Sequence, residues 1–138
     1  MAIDTIAGLK AKMPVGTPGG TTVADIHDVL DTFEDRTTQE VKTVTATTYT
    51  ALLTDNRRKV VFNNAAAVTF TLPNNLPAGW ECAFVQMGAG QVTVTVTGGA
   101  LLSRASHNKT AGQYAQAYLF VASNAGTAPQ VLLGGDTA

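Results

Sequence analysis

The sequence predicts a mainly β protein, an antiparallel β-sandwich or barrel of about seven strands preceded by a short N-terminal α-helical anchoring segment. Charged residues make up 14% of the chain, well below the usual share of about 25%. After residue 40 apolar and polar residues alternate, which is the period of a half-buried strand. Before residue 40 the apolar residues recur at helical spacing instead.

Seven segments of the C-terminal part are predicted as strands, because they are short, rich in β-branched and aromatic residues and bounded by turn residues. In VTFTL (68–72) the apolar residues share one face and the threonines the other, and VTVTV (92–96) repeats this arrangement. We therefore expect apolar faces inward and threonines outward. The seven segments are VKTVTATTYT, RRKVVFNN, VTFTL, WECAFVQM, QVTVTV, QYAQAYLFVA and PQVLLG. So many short strands in under 100 residues indicate antiparallel pairing.

Two turn clusters separate the central strands. PNNLPAG follows VTFTL, and GAG at 88–90 lies between WECAFVQM and QVTVTV. Glycine reaches positive φ without steric cost, so GAG is predicted to close a tight hairpin.

The chain is predicted to have two parts, residues 1–40 and residues 41–138. The first has a net charge of −4 and the second of +3. A helix is predicted over about 22–35, where Thr22 and Asp25 resemble a capping box. Its apolar stripe consists of Val23, Ile26, Leu30 and Phe33. The stripe is too short for an independent coiled coil, so we expect it to contact the chain's own body, other copies or a larger particle.

Composition argues against several classes of function. A formal net charge of −1 provides no field for nucleic acid or an anionic membrane. The single cysteine can form no intramolecular disulfide and supplies no set of zinc ligands. A signal peptide and a membrane-spanning apolar run are both absent from the sequence, so we expect a soluble protein made in the cytoplasm.

Catalytic residue types are few. His27 lies in the predicted acidic helix, where a solvated or ion-paired role is expected. His107 and Ser103 could be paired on paper, but the carboxylates after residue 40 are Asp55, Glu81 and Asp136. None of the three stands in a recognisable catalytic motif. We therefore expect no enzymatic activity, no metal ion and no cofactor.

Cys82, Trp80 and the tyrosines allow two interpretations each. Cys82 alternates with Trp80 and Phe84 on one strand face, which favours a buried hydrophobic role over a reactive thiol. Trp80 is expected in the core or at a sheet edge, but with Tyr114 and Tyr118 it could also stack on a sugar.

The sequence NRRKVV contains the one basic cluster, formed by Arg57, Arg58 and Lys59. Such clusters are usually solvated turns. A functional alternative is a polar contact patch that meets an acidic surface, such as the N-terminal part of a neighbouring copy.

The order of features after residue 43 resembles a β-rich module of tailed-bacteriophage fibre, head-fibre and decoration proteins. The resemblance covers about residues 43–134 and lies in YTALLTDNRRK, VFNNAAAVTFTLP, LPAG, QMGAGQVT and AGQYAQAYL. IDTIAGLKAK, the Pro/Gly break and ADIHDVLDTFED also resemble the short segment that attaches such modules to a particle. The chain differs from long tail fibres in having one module, with no repeats and no enzymatic tip.

This resemblance implies a virion structural protein on the capsid surface, namely a decoration or head-fibre protein that binds the major capsid protein as a homotrimer. The stripe of residues 23–33 would then provide oligomer or capsid contacts. The alternative is a tail-fibre or adhesin module that binds a host-surface glycan.

Overall fold

The structure is a computed structural model, and it describes residues 40–138. The chain divides between Gln39 and Glu40, so the described residues form one unit, with a core of their own. The predicted helix over 22–35, with Val23, Ile26, Leu30 and Phe33, lies outside the described residues, as does His27.

The described residues contain nine strands in two sheets, so the mainly β prediction is confirmed. The six-stranded sheet has the order β1-β3-β5-β8-β9-β7, and the three-stranded sheet has the order β2-β4-β6. The strands are β1 (Val41–Val44), β2 (Thr48–Thr50), β3 (Lys59–Phe62), β4 (Val68–Leu72), β5 (Glu81–Gln86), β6 (Val92–Val96), β7 (Ala100–Ser103), β8 (Gln116–Asn124) and β9 (Pro129–Gly135).

From β1 to β7 the chain alternates between the two sheets, so it winds as a coil instead of folding back in hairpins. Tyr49, Phe70 and Val94 therefore occupy the same position on three successive parallel strands. Within residues 40–138 the predicted antiparallel pairing is wrong for five of the seven strand pairs and holds only where β8 pairs with β5 and β9. Alternation in a sequence reports which face is buried, and it does not report the direction of the neighbouring strand.

The inward faces of the two sheets share one aromatic core. The ring of Phe70 in the three-stranded sheet lies 5.1 Å from that of Phe62 and 5.5 Å from that of Phe84, both in the six-stranded sheet. Trp80 and Cys82 are buried in the same core, as their alternation with Phe84 predicts. Edge-to-face and tilted ring pairs of this kind stabilise the packing beyond the area they bury.

Gly88 and Gly90 lie where one turn of the coil passes over the previous one. The predicted hairpin is wrong, because β5 and β6 belong to different sheets and neither glycine has a positive φ. Instead, a Cβ at Gly90 would overlap the carbonyl oxygen of Ala66, and a Cβ at Gly88 would overlap that of Asn64. The Gly90 amide donates to the Asn64 carbonyl at 2.8 Å, and the Asn64 side chain donates to the Thr45 carbonyl of the turn before.

The outward face of the three-stranded sheet consists of threonines, as predicted. Residues 48, 69 and 93 form one row across the strands, and residues 50, 71 and 95 form the next. Thr71 and Thr95 lie in hydrogen-bonding contact, with their hydroxyl oxygens 3.0 Å apart. The parallel register thus turns three separate Thr-x-Thr sequences into a polar grid.

Gly90→Ala is expected to lower the free energy of unfolding by about 2 kcal/mol or more, since its methyl group meets backbone that cannot rotate away. Gly112→Ala is the matched control, because a Cβ there has no neighbour within 4 Å. Urea unfolding of both variants checks this, and equal midpoints would contradict the close approach.

Candidate functional site

The residues considered for hydrolytic chemistry do not form a dyad. The Ser103 hydroxyl donates to the backbone carbonyl of His107 instead of its ring. The His107 Nδ1 lies 3.2 Å from the Thr137 hydroxyl. A general base must reach the proton it removes, so this pair performs a local structural role, tying the loop after β7 to the end of the chain.

The basic cluster lies in the turn before β3 and at the start of that strand. Arg57 pairs with Glu81 at 3.6 Å, and Arg58 pairs with Glu40 at 3.1 Å. Lys59 is exposed on β3 and has no ion-pair partner within residues 40–138. Two of the three cations therefore have a carboxylate partner among the described residues, and the contact patch of Arg57, Arg58 and Lys59 stays a prediction.

Sequence reasoning missed a cluster of Lys42, Tyr49 and Asp55 that is the most buried ionic feature of the described residues. Asp55 is completely buried. It accepts from the Tyr49 hydroxyl, from the Leu52 amide at 2.8 Å and from the Lys42 ammonium at 3.3 Å. Lys42 lies on β1, Tyr49 on β2 and Asp55 in the following 3₁₀ turn, with 7 and 6 positions between successive members. This spacing matches no known motif.

The protonation of this cluster favours structure over catalysis. The pKa of Lys42 is raised by the hydrogen bond that Lys42 makes to Tyr49 and by the charge of Asp55. Burial, followed by the hydrogen bond to Asp55, raises the pKa of Tyr49. A lysine that keeps its proton and a tyrosine that keeps its proton supply neither a nucleophile nor a general base near neutral pH. The cluster instead satisfies a buried carboxylate and holds β1, β2 and the 3₁₀ turn Leu53–Asp55 together.

Cys82 is a core residue, as predicted. Burial, with a smaller contribution from Asp55, raises the pKa of its thiol to about 12. The thiolate is the reactive form, so this cysteine is chemically quiet at neutral pH.

The aromatic residues considered for sugar stacking separate in the structure. Trp80 is buried, and its indole N–H donates to the Leu52 carbonyl at 3.2 Å. The stacking interpretation is therefore wrong for Trp80. Tyr114 and Tyr118 are 65% and 53% exposed.

The outer face of the six-stranded sheet, meaning the side turned away from the core, is the main apolar surface of the described residues. On it lie Val41, Tyr118 and Leu102, which are 62%, 53% and 45% exposed. A groove of about 410 Å³ runs over β1, β3, β5 and β8, with Val61, Ala83 and Val85 in its lining. A contiguous apolar patch of this kind usually marks an interaction site.

Two further observations concern the described residues. They contain no group of three His, Cys, Asp or Glu side chains that could hold a metal ion. They also contain no helix with the length and hydropathy needed to cross a membrane.

Tyr49→Phe is expected to lower the free energy of unfolding by about 1–3 kcal/mol, because buried Asp55 loses a hydrogen-bond donor. Tyr114→Phe makes the same chemical change at an exposed ring and should stay within about 0.5 kcal/mol of the wild type. Chemical unfolding at pH 7 compares the two. A Tyr49→Phe variant as stable as Tyr114→Phe would show that the hydroxyl is not needed.

Raised pH is expected to destabilise the fold through Cys82. The thiol loses its proton near its ordinary pKa of 9.0 when unfolded and near about 12 when folded. Unfolding therefore releases a proton between these values, and stability is lost as pH rises from 9 toward 12. From pH 7 to pH 10 the wild type should lose about 1.4 kcal/mol more than Cys82→Ala. Urea unfolding with a reductant present measures this difference, and equal losses would contradict it.

No protein-family model matches this chain, and no curated protein matches it either. The resemblance to the phage module therefore rests on the strands and turns quoted for it.

Proposed function

We propose that this chain is a virion structural protein, a capsid decoration or head-fibre protein that binds a phage capsid as a homotrimer. Residues 1–40 attach it to the major capsid protein, and the β-sandwich body of residues 41–138 stabilises or decorates the capsid surface. The protein is made in the host cytoplasm and acts on the particle.

The observation that supports this most is the contrast between the inside and the outside of the body. Inside, buried Asp55 accepts hydrogen bonds from Tyr49 and from partly exposed Lys42, and Cys82 is packed in the core. Outside, a six-stranded sheet presents apolar residues to its surroundings. A protein built in this way acts through contact area and not through a reactive cleft.

The resemblance to phage modules is the reason for proposing a virion as the site of action. It covers about residues 43–134, nearly the whole of the unit Glu40–Ala138, so the quoted strands and turns belong to one folded body. The opposite charges of the two parts, −4 before residue 41 and +3 after it, suit a division into an anchor and a body. Many copies on one particle would add weak contacts into firm attachment.

Deleting residues 1–35 should abolish binding to particles while the body remains folded. The measurement is co-sedimentation of the purified chain with virions of the phage that encodes it, prepared after deletion of its gene. A full-length variant with serine at positions 23, 26, 30 and 33 tests the stripe separately. Circular dichroism and urea unfolding confirm that the body is intact, and a deleted chain that still co-sediments would overturn the anchoring role.

A tail-fibre or adhesin role, with a host-surface glycan as ligand, is the second candidate. Exposed Tyr114 and Tyr118 favour it, since aromatic rings stack on sugars, but buried Trp80 does not contribute. Electron microscopy of intact virions separates the two functions: density on the capsid supports decoration, and density at the tail tip supports the adhesin. A glycan array with Tyr114→Ala and Tyr118→Ala variants as controls tests the glycan directly.

A further inference from the structure

We propose that the outer face of the six-stranded sheet is the surface through which copies of this chain bind one another. The inference rests on the proposed function only where that function includes self-association, and it names the contact surface. It is independent of where the protein lies on a particle.

The register of the sheet assembles this face from residues far apart in the sequence. One row runs from Val41 through Lys59 and Ala83 to Tyr118 and Gly134. A neighbouring row runs from Glu81 through Phe120 and Leu132 to Leu102. Most side chains of these two rows are apolar, with Lys59 and Glu81 as their charged members, and the flanking rows add exposed Thr43, Gln116 and Gln130.

The face is preorganised. A Cβ at Gly134 would overlap the Tyr118 ring, so the ring lies flat along the sheet instead of projecting from it. Its neighbours Ala83 and Val85 are small or β-branched and have few rotamers to lose. A flat, rigid surface loses little conformational entropy on binding, which favours association.

The outer faces of the two sheets differ in polarity, and this difference favours the six-stranded sheet as the contact surface. The three-stranded sheet has threonines on its outer face, which suit water. The outer face of the six-stranded sheet instead has Val41, Met87, Leu102 and Tyr118 exposed by 62%, 40%, 45% and 53%. Exposed faces of antiparallel or mixed sheets are ordinarily polar, so this apolar face is built to be covered.

The charges on the face fit a second copy as the partner. Lys59 has no ion-pair partner within residues 40–138, and the Glu81 carboxylate pairs there with Arg57 at 3.6 Å, with both side chains exposed. One cation and one anion on an apolar surface are self-complementary. When Lys59 of one copy pairs with Glu81 of another, the symmetry of the oligomer forms the same ion pair again at each equivalent contact.

The size of the face indicates how tightly copies would bind. Six strands about 4.8 Å apart span about 24 Å, and the two to four outward positions of each strand cover roughly 13–26 Å. The face therefore measures on the order of 500 Å² per copy, or about 1,000 Å² for the pair, the lower limit for a specific interface. We expect dissociation near micromolar concentrations for this contact.

Sedimentation equilibrium of the full chain from about 1 to 100 μM tests the proposal. We expect a reversible oligomer. The double variant Tyr118→Arg, Leu102→Arg should weaken association at least about tenfold. The control Thr69→Arg, Thr95→Arg places the same charge on the opposite sheet and should leave the mass unchanged, with urea unfolding to show that both variants are folded.

Charge reversal makes the test specific for the pair. Lys59→Glu and Glu81→Lys should each weaken association, and the combined variant should restore it, because the opposite charges are exchanged. A monomeric wild type at 100 μM would overturn the proposal in favour of a different occupant. So would an oligomer whose mass the arginine variants do not change, while capsid binding could still succeed or fail by itself.

Discussion

The fold depends on the close stacking of one turn of the coil on the next. Where the chain passes from β5 to β6, the backbone of residues 88–90 lies directly on that of Asn64 and Ala66. Only glycine permits this approach, since any side chain would separate the turns. If the turns moved apart, the ladders between β3 and β5 and between β4 and β6 would lose their register. The aromatic core of Phe62, Phe70 and Phe84 would open with them.

Winding between two sheets also decides the character of the surface. Each strand buries one face against the core and leaves the other outside, so the parallel three-stranded sheet and the mixed six-stranded sheet are both one-sided, unlike the doubly covered sheets of α/β proteins. Parallel register then brings like residues together in rows. It turns scattered threonines into a polar grid on one side of the body. On the other side, parallel and antiparallel pairs together bring Val41, Ala83, Tyr118 and Leu102 onto one apolar face.

Sequence patterns predicted burial well and pairing poorly. Alternation identified the inward residues Phe70 and Val94, the core positions of Cys82 and Trp80, and the outward threonines. It did not reveal strand direction, because parallel and antiparallel neighbours produce the same alternation. Nor did it reveal β7, which is only four residues long and precedes a polar loop. Lys42, Tyr49 and Asp55 escaped notice because they meet only once β1, β2 and the following turn are in place.

The glycines of QMGAGQ could serve either of two structural roles, a tight hairpin or a close approach of two backbone segments. As hairpin residues they would have indicated local antiparallel pairing; as points of close backbone approach they indicate a wound chain. The same segment has no ionisable group, and at its buried positions Gln86, Gly88 and Gly90 a charge would be desolvated without a partner. The carboxylate that the coil does enclose, Asp55, accepts hydrogen bonds from Lys42, Tyr49 and the Leu52 amide. Within residues 40–138, a partner therefore meets the outer faces of the sheets, and of these the six-stranded sheet has Val41, Leu102 and Tyr118 exposed.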